Sequence, residues 1–168
     1  RIEYLANKDG LNFSNEQIAL IGVTIFFTCK VLSVLLCGKL FDQVHFMHFR
    51  IMLNLIMLVA ILIYFNSTTF LGVAIGTAIA GIGTGGANIA WNLWVTKLAP
   101  KGKESDYMGV HVFLTGIRGA SAPFLGYVLV QPLGYSGISI LSSILILVAT
   151  LIFFTTITHP RFSSASFS

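Results

Sequence analysis

Charge is scarce in this sequence: Lys, Arg, Asp and Glu make up 10% of its 168 residues, while 55% are hydrophobic and the mean hydropathy is +0.86. A soluble globular domain carries about 25% charged residues, so a water-exposed surface cannot be built from this composition. Cysteine is almost missing too. Cys29 and Cys37 stand eight residues apart in one apolar run; on a helix they point about 80° apart with backbones too distant to bridge, which excludes a disulfide scaffold. Metal motifs such as HExxH are lacking, and no Ser, Cys or His has an adjacent acid or base arranged for a triad, so the chain does not read as an enzyme and calls for no cofactor. The first residue is Arg1 rather than a start methionine, and no signal-peptide series follows it. What the chain has instead is long apolar runs and 14 phenylalanines. They make it an all-α, polytopic membrane helix bundle.

A helix needs about 20 mostly apolar residues to cross the roughly 30 Å hydrocarbon core, so this length allows at most about six crossings. Five are expected, at about residues 18–37, 46–65, 70–94, 107–130 and 138–157. Ser14 followed by Gln17 ahead of the first run is a capping-box signature. The second run is short, from Ile51, and reaches full length if it starts at Phe46 with Arg50 snorkelling to the interface. Lys97 and Pro100 close the third, Ser105-Asp106 opens the fourth, and Pro132 with Gly134 punctuates the connection to the fifth.

The formal charge of +4 would prompt a nucleic-acid reading in a soluble protein, but here the cations sit mainly between apolar runs, where they set topology. One set of loops holds Lys39, Arg50, Lys97, Lys101, Lys103 and Arg161; the other holds Arg1 and Lys8. The positive-inside rule then puts the chain's start outside and its Ser-rich C-terminus in the cytoplasm. Lys30 and Arg118 remain, each inside a crossing and roughly 17 Å from its nearer helix start at 1.5 Å per residue.

A cation near the bilayer centre costs about 2.5 kcal/mol or more and normally faces a bundle interior or a watered cavity. No crossing contains Asp or Glu. The partners of Lys30 and Arg118 must come from another part of the protein, from a substrate anion, or from backbone carbonyls; the cations are either structural ties or cavity lining. Polar residues are unevenly spread: the second and fifth crossings read as lipid-facing, and the first, third and fourth as functional. On the third, Gly72, Gly76, Ala80, Thr84, Asn88 and Asn92 recur every four positions, with Gly81 and Gly85 on an adjacent face, a pattern that serves close packing at one end and presents two amides at the other. Trp91 and Trp94 read as an interfacial belt in preference to a substrate platform. On the fourth, His111 and Arg118 are seven residues apart and share a face, and Pro123 removes a backbone donor and is expected to bend the helix. His45 and His48 lack a third ligand for a metal and read as interfacial.

These residues resemble the major facilitator superfamily of secondary transporters, in particular the last five of its twelve helices. The specific match is Gly38-Lys39-Leu40-Phe41-Asp42, similar to the start of that family's G-x-L-x-D-R/K-x-G-R/K-R/K loop motif, with Gln43 where the family has a basic residue. Residues 10–17 are similar to the segment before helix eight, and the Gly-rich third crossing and the stretch Gly116 to Pro123 to helices ten and eleven. The resemblance implies a partial C-terminal domain over residues 1–168, helices eight to twelve, with Arg1 to Leu5 as the end of helix seven. It further implies alternating access against a missing N-terminal half around a midplane site, with Asp42 as an interdomain latch beside Gly38.

The candidate cavity residues are Lys30, Asn88, Asn92, His111 and Arg118, with Gly38, Asp42 and Pro123 as candidates for conformational change. The expected partners are a small, anion-bearing solute, membrane lipids and the missing half, with no nucleic acid; the expected location is the plasma or inner membrane. A non-transporting membrane-embedded binding or scaffold subunit is the alternative reading.

Overall fold

The computed structural model describes residues 2–6 and 11–157. A short helix α1 (Ile2–Ala6) precedes one continuous helical run that comprises α2 (Asn15–Ala19), a π-helical stretch (Leu20–Ile25) and α3 (Phe26–Gln43). Then come α4 (Phe46–Asn66), α5 (Phe70–Leu98) and α6 (Glu104–Ile157), and no strand is present among the described residues. Arg1, Lys8 and Arg161, which entered the topological charge count, lie outside the described residues.

Local chemistry starts these helices. Ser14 Oγ accepts from Gln17 N at 3.3 Å while Gln17 Oε1 accepts from Ser14 N at 3.0 Å, so the capping box is formed. His45 Nδ1 accepts from Met47 N at 3.3 Å, which gives that histidine a capping task at the head of α4. Thr69 Oγ1 accepts from Gly72 N at 3.2 Å at the head of α5. Each cap satisfies an amide that would otherwise have no intrahelical partner.

Helix α6 has 54 residues, about 81 Å at 1.5 Å per residue and more than twice the hydrocarbon thickness. It breaks at Gly134, whose φ of 65° and ψ of 179° are a conformation only glycine adopts freely. The break yields two crossing-length halves, so the described chain has five apolar helical segments long enough to span a membrane. Pro123 sits within a helical stretch of the first half; the non-helical residue inside α6 is Gly134, eleven positions further on. The helix itself begins at Glu104, one residue before the expected Ser105 cap.

Helix α5 is the centre of the packing, with α3 along one side and α4 along another. A Cβ on Gly81 would lie 2.6 Å from Phe26 O, and one on Gly85 would lie 2.5 Å from Lys30 O, so glycine lets the α3 and α5 backbones approach. On the α4 side, Gly76 and Gly83 would meet Tyr64 N at 2.8 Å and Met57 Sδ at 2.7 Å. A spacing of four turns a helical face by about 40° per step, so the stripe from Gly72 to Asn92 rotates through about 200°. It therefore starts against α4 and ends with Asn88 and Asn92 exposed, and does not serve one interface.

The second half of α6 packs on α4, where Asn54 Nδ2 donates to Thr150 Oγ1 at 3.2 Å and Arg50 stands over the Phe153 ring at 5.6 Å. One buried cluster, with Phe41, Phe49 and Leu53, lies at the end carrying Lys39 and Lys97. Another, with Tyr4, Ile21, Tyr64 and Val73, closes the opposite end. There the Tyr4 ring lies 4.9 Å from Tyr135 and its hydroxyl donates to Phe65 O at 3.3 Å, which ties α1 to α4 and α6. The first half of α6 is the least covered: Phe113, Leu114, Ile117, Phe124 and Tyr127 are all exposed.

Candidate solute site

Trp91 and Trp94 are three residues apart near the end of α5 and project to the same side of the helix. The first half of α6 meets them there. The His111 ring lies 4.3 Å from Trp91 and 5.2 Å from Trp94, and Tyr107 lies 6.3 Å from Trp94. One turn-pair further along the same face, the Arg118 guanidinium stands 4.8 Å over the Trp91 ring. A guanidinium over an indole face is a favourable pairing, worth about 0.5–2 kcal/mol, and it holds Arg118 in place without consuming its hydrogen-bond donors.

Phe46 and Arg50 of α4, Ala90, Trp91 and Trp94 of α5, and His111 and Phe153 of α6 enclose a cavity of about 200 Å³. An adjoining cavity of about 350 Å³ is lined by Trp94, Asp106, Tyr107, Val110, His111 and Leu114. Trp94 Nε1 and His111 Nε2, which belong to both walls, are buried without a hydrogen-bond partner. Of the acids in the sequence, Glu16, Asp42, Glu104 and Asp106 fall among the residues whose side chains are described, and none of these lines the smaller cavity. The smaller cavity is thus a chamber walled by an arginine and aromatic rings, without an acid among the described residues, the surroundings in which an anion with hydrogen-bond acceptors is stabilised.

The other sequence candidates lie elsewhere. Lys30 is half-buried on α3, with its ammonium 5.6 Å over the Phe27 ring, and lines neither of these cavities. Asn88 and Asn92 are exposed on α5, with Asn92 Nδ2 donating to Asn88 O at 2.8 Å. Gly38 has room around it, since an added Cβ would make only an ordinary contact with Ile89 at 3.9 Å. Asp42 and Pro123 are exposed. Thus His111 and Arg118 meet at the Trp91 ring, whereas Lys30, Asn88 and Asn92 line neither cavity.

Three contributions were not assigned to a site from the sequence. Arg50, expected only to snorkel, forms a wall of the chamber together with Phe153 from a helix about a hundred residues away. The two tryptophans are a platform for His111 and Arg118 and not simply a belt. Lys97, read as a helix-end cation, donates its Nζ to Phe41 O and, at 3.0 Å, to Val44 O, and stands 4.5 Å over the Phe41 ring. It thereby caps the carbonyl end of α3 from the end of α5, beside the Gly38 to Asp42 motif. The spacing of Trp91, Trp94 and His111 was a usable signal for a shared face; the arrival of Arg50 was not, because it depends on how α4 and α6 cross.

Among the described residues no group of three or more His, Cys, Asp or Glu is placed to hold a metal ion. No curated protein and no solved structure matches the chain. The family model described as Major Facilitator Superfamily matches residues 4–167, nearly the whole chain, and the chain therefore belongs to that superfamily of membrane transporters.

Proposed function

We propose that the chain is the C-terminal half of a secondary active transporter that moves a small, anion-bearing solute by alternating access. Membership of the superfamily supports an integral membrane protein and a small-molecule substrate; the charge of the solute is inferred from the chamber. The observation that carries it is Arg118, stacked over Trp91 and without a side-chain hydrogen bond or ion pair among the described residues, in a chain whose expected crossings hold no acid. Arg118 and His111 form the solute contact from this half. Lys30, Asn88 and Asn92 contribute a separate polar face toward the N-terminal half, where the rocking of two domains would bring it into the path. Gly38 and Asp42, at the end of α3, and Pro123, in the first half of α6, are the positions at which that rocking is accommodated. In this reading the chain starts outside and ends in the cytoplasm of a plasma or inner membrane.

Uptake into proteoliposomes by the full-length protein tests the proposal, with anionic, neutral and cationic solutes offered under an imposed pH gradient. Saturable uptake confined to carboxylate- or phosphate-bearing solutes is expected. Selective uptake of cations would overturn the charge assignment, and an inserted protein that transports nothing in the panel would favour the scaffold reading.

A further inference from the structure

Both tryptophans of the sequence wall the smaller cavity. Phe46, His111 and Phe153 add three more rings, so five of its seven lining residues are aromatic or imidazole-bearing, and Ala90 completes the apolar wall. These rings are not stacked flat on one another: His111 meets Trp91 at 61° and Trp94 at 55°. A flat ring entering between walls so tilted finds edge-to-face partners, and such pairs add to affinity beyond the area they bury.

Polar capacity in the same wall is small and uncommitted. Arg50 stands over the Phe153 ring at 5.6 Å and makes no side-chain hydrogen bond or ion pair among the described residues. Trp94 Nε1 and His111 Nε2 are buried without a partner. A guanidinium presents a planar fork that two carboxylate oxygens fill, and the remaining lone pairs of those oxygens can accept from an indole N–H. A sugar would bring more hydroxyls than these three groups can satisfy, and each one buried unmet counts against binding. A saturated acid would meet the polar groups and forgo the edge-to-face contacts. Size agrees: a dry cavity of about 150 Å³ takes up benzene, so about 200 Å³ accommodates one six-membered ring with its carboxylate.

We propose that the chamber selects single-ring aromatic carboxylates, with the carboxylate on the Arg50 fork and the Trp94 N–H and the ring among Trp91, His111 and Phe153. The inference rests on the reading of this chamber as the solute site; it adds the class of solute and makes Arg50, supplied by α4, a specificity-determining residue. The bound ring lies beside the Trp91 indole over which Arg118 stands, which keeps the solute in the field of both arginines.

Calorimetric binding to the full-length protein tests the class with four probes: benzoate, its saturated counterpart cyclohexanecarboxylate, its neutral counterpart benzamide, and acetate. Benzoate should bind about three- to tenfold more tightly than cyclohexanecarboxylate, the worth of one edge-to-face pair, and more tightly still than benzamide or acetate. Arg50→Gln should weaken benzoate about tenfold, the loss of one charge-assisted hydrogen bond, and leave benzamide little changed. Trp94→Phe keeps a ring and removes the N–H, and should weaken benzoate about fivefold; it serves as the second variant where the arginine variant folds poorly. Equal affinity for benzoate and cyclohexanecarboxylate would overturn the aromatic class. Benzoate binding unchanged in both variants would overturn its placement in the chamber, and a protein that takes up other anions without binding benzoate would overturn the inference outright. Failure of the wider transport reading shows differently, as uptake of cations alone or of nothing in the proteoliposome panel.

Discussion

Replacing Gly85 with alanine tests the claim that glycine sets the distance between α3 and α5. The added Cβ would lie 2.5 Å from Lys30 O and would also strike Ser33, whose hydroxyl donates to that same carbonyl at 2.9 Å. An ordinary carbon–oxygen contact needs about 3.3 Å or more, and the obstructing atom belongs to helix backbone, so relief requires α3 to move as a body. Overpacking of this kind costs about 1–3 kcal/mol. Alanine recovers about 0.8–1 kcal/mol in helix propensity, which leaves a net loss of up to about 2 kcal/mol, and a deficit of about 1–3 kcal/mol against alanine at a glycine with open space around it. The matched controls are Gly116→Ala and Gly126→Ala in α6, where no atom lies within 4 Å of the new Cβ. Reversible unfolding of the full-length protein in mixed micelles, followed by far-UV circular dichroism, reads the difference. Gly85→Ala as stable as the two α6 control variants would refute the packing argument.

Lys97→Ala should lower stability by about 1–2 kcal/mol, because it uncaps the carbonyls of Phe41 and Val44 at the end of α3. Lys97→Arg should recover much of that loss, and protease cleavage near residues 43–45 should report the fraying directly. Gly134→Ala forces a side chain into a conformation with φ of 65° and ψ of 179°, at a cost of about 1–3 kcal/mol. Its effect should appear as a lowered unfolding midpoint and a changed angle between the halves of α6 in spin-label distances from residue 124 to residue 145.

The five membrane-length segments were legible because apolar length is a one-dimensional signal. The capping box was legible because Ser14 and Gln17 act within a single turn. Even the break between the last two segments was marked, since Gly134 supplies backbone freedom that no other residue has. The π-helical stretch at Leu20–Ile25 was not legible, because a shift in hydrogen-bond register leaves the apolar pattern almost unchanged. The stripe from Gly72 to Asn92 was legible in outline, with small residues packed at one end and two amides exposed at the other, because its four-residue spacing exceeds the helical repeat and the accumulated rotation carries it from α4 to an exposed face. In the chamber, His111 and Arg118 were legible as a pair because they share one helix. Arg50 and Phe153 were not, since their approach is set by tertiary packing between helices distant in sequence.

Charge reversal at Arg118 tests the central claim most directly. Uptake by Arg118→Glu should be measured in proteoliposomes beside the wild type, with correct insertion verified by accessibility labelling of the loop at residues 100–103. The account predicts that an anionic solute taken up by the wild type is no longer transported by the variant, while the unfolding midpoint of the variant stays within the range of the other α6 substitutions. Undiminished uptake of every anionic solute by correctly inserted Arg118→Glu would contradict it.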